Sequence, residues 1–171
     1  MRARNGQGGA AVAISLALIL AACGGGEDGA GNDDRDSPAR ASAEAFPNAN
    51  AADVEVITAW ADALRAGDVA EASSYFAVPS VAQNGIAFDL DTAEDVEAFN
   101  ESLPCGGRVI NAETEGDFTT ATFRLTERPG RGACGDGVGG TAQTSFLIED
   151  GKIAEWRRVG IGGEQPPGQT T

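Results

Sequence analysis

From residue 51 onward the apolar positions fall into two regimes. Val56, Ile57, Trp60, Ala61 and Leu64 recur at three- and four-residue spacing, which gathers them on one face of a helix. Asn50 is placed to cap its start and Gly67 to stop it. Asp68 followed by Glu71 resembles a capping box and opens a short second helix with Ala72, Tyr75 and Phe76 on its buried side. Thr92 caps a third helix, whose inner face is Val96, Phe99 and Leu103 and which Pro104 ends. After that the period becomes two. Strands are predicted over 107–113 and 118–127 around the turn Glu115-Gly116-Asp117, and over 141–149 and 152–159 around Asp150-Gly151, a strong hairpin signal. Helices followed by antiparallel strands predict an α+β domain over 51–160, with three N-terminal helices packed on a strongly curved, mainly antiparallel sheet.

The flanks follow neither period. Arg2 and Arg4 precede an uncharged apolar run, Ala10 to Ala22, whose thirteen residues are too few to span a bilayer, so 1–22 reads as an export signal. Residues 24–50 are mostly Gly, Ala, Asp, Asn, Ser and Pro with Phe46 as the single large apolar side chain. Such a segment cannot build a core; as a flexible tether it spans about 30 Å. Residues 161–171 read as a flexible tail.

Composition narrows the chemistry. A chain of 171 residues with 42% hydrophobic content supports one ordinary domain. Its net charge of −14 repels phosphate backbones, so no nucleic-acid partner is expected. The absence of histidine excludes any Ser-His-Asp, Cys-His or His-metal mechanism. Asp33, Asp34 and Asp36 lack the glycine and terminal glutamate of a calcium loop, and the glycines between Gly130 and Gly140 lack the strand and helix of a phosphate cradle. No metal and no cofactor are expected.

Leu20-Ala21-Ala22-Cys23-Gly24 resembles the lipobox of bacterial lipoproteins. That resemblance implies cleavage before Cys23, a diacylglycerol on its sulfur, and a chain anchored in the cell membrane by its N-terminal lipid and facing the extracytoplasmic side. Cys105 and Cys134 then remain as one pair in a compartment where disulfides persist, both in loop-like settings; the competing reading is two free thiols.

Trp60-Ala-Asp-Ala-Leu64-Arg-Ala-Gly67-Asp68, then Tyr75-Phe76-Ala77, then Asp150-Gly151-Lys152-Ile153-Ala-Glu-Trp156-Arg resembles the nuclear transport factor 2-like superfamily in its SnoaL-like branch. The resemblance covers most of 51–160 and implies a cone, a bent sheet around the long first helix with a pocket in its mouth. That superfamily holds ketosteroid isomerases, polyketide cyclases, dehydratases and non-catalytic binding modules, so fold does not decide activity. At the place of the isomerases' catalytic tyrosine stands Trp60, and at or next to that of their aspartate base stands Gln83, whose amide cannot take a proton. Asp89 and Glu155 are the remaining catalytic candidates, although Asp89-Leu90-Asp91-Thr92 also reads as a loop into a helix cap. The implied pocket draws on Trp60, Tyr75, Phe76, Gln83 and Phe88, and on Phe99, Phe123, Phe146 and Trp156. These residues lead to the expectation of a lipid-anchored, non-catalytic module that binds a small apolar ligand or a protein partner at the cone mouth. The alternatives are an isomerase-, dehydratase- or cyclase-type enzyme using a pocket carboxylate, and a homodimer formed through the sheet.

Overall fold

Asn50 starts the first helix as its spacing predicts. Its Oδ1 accepts the N–H groups of Ala52 and Asp53 at 3.0 and 3.3 Å, satisfying donors that a helix start leaves open. Helix α1, Ala51–Ala66, buries Val54, Ile57, Trp60, Ala61 and Leu64 and ends at Gly67, whose φ of 83° suits glycine. A Cβ there would also lie 2.9 Å from the Pro129 ring, so the site excludes any larger residue twice over. In α2, Val69–Ser74, Asp68 accepts the Glu71 N–H at 2.9 Å. The box is left half made, because the Asp68 N–H goes to Ala63 O and the Glu71 carboxylate accepts the Tyr75 hydroxyl at 2.9 Å. The full reciprocal box belongs to α3, Ala93–Ser102, between Thr92 and Asp95.

This computed structural model describes residues 42, 44–130 and 132–160. The export signal, Cys23, most of the tether and the tail lie outside the described residues. The architecture is α+β: three helices and one curved, mixed six-stranded sheet. Its strands are β1 (Phe76–Asn84), β2 (Ile86–Leu90), β3 (Gly106–Glu115), β4 (Phe118–Thr126), β5 (Thr141–Glu149) and β6 (Lys152–Val159), in the spatial order β2-β1-β6-β5-β4-β3. All neighbours pair antiparallel except β1 and β6. Asp150 (φ 51°) and Gly151 (φ 72°) make the β5–β6 turn that the Asp-Gly pair announces.

Strands β1 and β2 correct the sequence reading. The spacing places Tyr75 and Phe76 on the buried side of the second helix, yet α2 stops at Ser74 and Phe76 opens β1. Pro79 has no N–H to give a ladder, and its presence makes this stretch look unlike a strand. The stretch read as a loop from Asp89 into the third helix contains the end of β2, where Ile86, Phe88 and Leu90 alternate with Ala87 and Asp89.

The inner face of the sheet closes on α1. Trp60 lies at the centre, edge-on to Phe146, Phe123 and Phe76 with centroids 5.5, 6.1 and 6.4 Å away. Phe99 of α3 extends this layer to Phe76 and Trp156 at 5.8 and 5.1 Å. The last residues of the expected tether belong to the fold, since Asn48 O accepts the Thr114 N–H at 3.0 Å and Thr114 Oγ1 accepts the Asn50 N–H at 2.8 Å. Fully buried Thr119 donates to Asp53 Oδ2 at 2.6 Å and ties α1 to β4.

Candidate functional site

The C-terminal half of α1 does not fill the sheet. Between them lies a cavity of about 190 Å³, open on one side. Trp60, Ala61 and Leu64 form one wall, and Phe123, Leu125 and Trp156 of the sheet form the other. The backbone of Gly106 and Gly107, with no side chains to intrude, and the short Ala142 leave the space between. At the rim stand Asn84 and Arg158, with Arg158 Nη1 donating to Asn84 Oδ1 at 3.3 Å. Cys105 is also in the wall and is bonded to Cys134, so the connection between β4 and β5 is held against the cavity's edge. The pairing of these two cysteines agrees with the sequence expectation.

Alternation along the strands decides which candidates can reach this space. Three of the nine aromatic and polar candidates line it: Trp60, Phe123 and Trp156. Phe76, Phe99 and Phe146 stand behind them in the aromatic layer. Tyr75 corrects the expectation, since its hydroxyl is turned to Glu71 and it lines a separate open hollow with Ile148 and Lys152. The hydrogen bond to the Glu71 carboxylate favours the neutral phenol and, with lesser help from burial and the Glu71 charge, raises the Tyr75 pKa. Gln83 is a second correction. It follows buried Ala82 and pairs with Arg157, which puts it on the outer face of the sheet. Phe88 is a third: it faces inward opposite Ala82 on the edge strand β2, yet it is 47% exposed and outside the wall.

Both carboxylate candidates point away as well. Val81 pairs with Asp89 on one side and Glu155 on the other, so the three share the outer face. Asp89 is exposed, and Glu155 forms an ion pair with Arg157, whose guanidinium covers the Phe118 ring at 4.3 Å. Among the described residues, no carboxylate lines the cavity, and no cluster of three His, Cys, Asp or Glu side chains could hold a metal ion.

Asn100 is the residue that sequence reasoning missed. It is fully buried on α3, where its Oδ1 accepts the Trp60 indole N–H at 2.9 Å and its Nδ2 donates to Val96 O at 2.9 Å and Ser73 Oγ at 3.3 Å. The Trp60 N–H is thereby committed to the core and is not offered to a ligand. Below it, buried Arg128 donates to Asn100 O at 3.0 Å. Burial pulls the Arg128 pKa down, and the charge of Glu101 opposes that shift. The Trp156 N–H, in contrast, is buried with no acceptor among the described residues, a state that costs about 1–3 kcal/mol. A polar residue four positions after Val96 on the inner face was the available signal for Asn100.

Comparison with known proteins adds a fold and little more. No family model and no curated protein matches the sequence. A de novo designed protein with a curved β-sheet superposes with a TM-score of 0.50 at 16% identity, over 64% of this chain and 85% of its own. The likeness is one of fold. An NTF2-like protein of unknown function from Cytophaga hutchinsonii follows at a TM-score of 0.49 and 12% identity, covering 62% of this chain and 87% of that one. A protein provisionally named a polyketide cyclase, from Sinorhizobium meliloti, has a TM-score of 0.46 and 21% identity over 61% and 94% of the two chains. Other similar structures carry the provisional names polyketide cyclase and ketosteroid isomerase.

Proposed function

We propose that this chain is a lipid-anchored extracytoplasmic module of the SnoaL-like kind that binds a small apolar ligand in its cavity and catalyses no reaction on it. The observation that carries this reading is the cavity itself, apolar in its walls and without a lining carboxylate among the described residues. A proton abstraction or an acid-catalysed dehydration needs a titratable group within hydrogen-bond reach of the ligand. Asp89 and Glu155 lie on the other face of the sheet. The donor that would polarise a carbonyl from the tyrosine-equivalent position, the Trp60 indole, is bonded to Asn100. Among the described residues the isomerase-, dehydratase- or cyclase-type alternative has no carboxylate at the cavity to act as its acid or base.

Trp60 and Trp156 are the only tryptophans of the chain and both line the cavity, so intrinsic fluorescence reports on it directly. Titration with cyclohexylmethanol, a neutral ring-sized probe, is expected to give a saturable change that Ala142→Phe abolishes by filling the space. An unsaturable or absent change in the wild-type protein sinks the reading.

A further inference from the structure

We infer that the ligand of this cavity is a single-ring carboxylic acid, bound as its carboxylate, with Arg158 and Asn84 at the rim as its receptors; the inference rests on the ligand-binding reading above and specifies it. The size comes first. An apolar cavity of about 150 Å³ takes up benzene, so about 190 Å³ has room within its walls for one six-membered ring with a small substituent.

The charge follows from what surrounds Arg158. Among the described residues Arg65 pairs with Asp62 and Arg157 with Glu155, whereas Arg124, Arg128 and Lys152 donate to backbone oxygens. What sets Arg158 apart is its place at the rim of the cavity. Arg158 pairs with no carboxylate among the described residues. Among the described residues its guanidinium donates to the Asn84 side-chain oxygen. That contact brings the two exposed side chains together at the mouth and leaves the Asn84 Nδ2 hydrogens and the remaining guanidinium N–H groups without an acceptor among the described residues. Two adjacent donor groups, one of them charged, match the two oxygens of a carboxylate better than one neutral hydroxyl or carbonyl. The strand pairing supports the placement. Arg158 lies two residues beyond Trp156 on the inner face of β6, and Asn84 lies two beyond Ala82 on the inner face of β1. Both side chains thus stand above the apolar wall, where a ring seated between Trp60 and Trp156 would present a substituent directed outward.

The test compares cyclohexanecarboxylate with cyclohexylmethanol on the full chain, by tryptophan fluorescence near neutral pH. The carboxylate is expected to bind about tenfold more tightly. Arg158→Gln should erase that margin, and Arg158→Lys should retain part of it. Equal affinity for the two probes in the wild-type protein, or a margin that survives Arg158→Gln, overturns the carboxylate assignment and leaves the cavity reading standing. Silence toward both probes overturns the two together.

Discussion

Asn100 shows how one buried polar side chain can decide what a neighbour is able to do. An indole N–H beside a cavity is a candidate hydrogen-bond donor for a ligand, but Asn100 Oδ1 takes the Trp60 N–H at 2.9 Å and closes that route. The same amide is matched on its other side by Val96 O and Ser73 Oγ, so a polar group at zero exposure is fully satisfied. Replacing it removes the Trp60 acceptor without restoring water to the N–H. Asn100→Leu is expected to lower the unfolding free energy by about 2–3 kcal/mol, measured by urea denaturation. A loss below about 0.5 kcal/mol would mean that Trp60 finds another acceptor. At Arg158 the balance differs: its partner is a neutral amide at the rim, and the charge stays available.

Among the elements, those with a clean period and a cap were legible. The helix from Asn50 to Gly67 and the hairpin around Asp150-Gly151 lie where spacing and turn chemistry put them. Strands β1 and β2 were not legible, because Pro79 interrupts one and the other ends in a stretch that also reads as a cap. That omission had consequences for the site. Without β1 there is no parallel partner for β6, and without that register nothing tells that Gln83, Asp89 and Glu155 share the outer face. The connection between β4 and β5 is held by Cys134 bonded to Cys105, with the Cys134 N–H given to Glu127 Oε2 at 3.3 Å. The cysteines are 29 residues apart. Reduction, or the Cys105→Ser and Cys134→Ser double variant, is expected to cost about 3–4 kcal/mol on the chain-entropy account, seen as a lower midpoint in guanidinium. An unchanged midpoint would assign the ordering of this connection to Glu127 and Arg128 instead.

For the protein as anchored in a membrane, the proposal makes Cys23 the point of attachment and the acidic residues before the domain a spacer. On that proposal, cleavage before Cys23 would remove two arginines and no acid and leave a chain more acidic than the whole sequence. Cys23→Ser is expected to move the protein from the membrane fraction to the soluble one, and the wild-type protein is expected to carry acyl mass on that residue by intact mass spectrometry. A wild-type mass with no acyl group contradicts the anchor. Dimerisation through the sheet would use the outer face, whose polar groups already pair with one another: Thr120 with Ser145 at 2.6 Å and Gln143 with Thr122 at 3.1 Å.

Periodicity, capping residues and turn chemistry are local, and they carried the α+β class, the main helices and the last hairpin. The composition, also readable without coordinates, removed histidine chemistry and set the expectation that nucleic acid is not a partner. The two cysteines were paired by count and expected compartment. The cavity was beyond reach of such reasoning, because it is bounded by residues as far apart as Trp60, Phe123 and Trp156 and exists only where α1 leaves the curved sheet unfilled. Which side chains enter it depends on strand register, where one residue's shift moves a carboxylate from one face to the other. That register was decided by the packing of the sheet on α1, and it turned Asp89 and Glu155 outward while leaving Arg158 and Asn84 at the mouth.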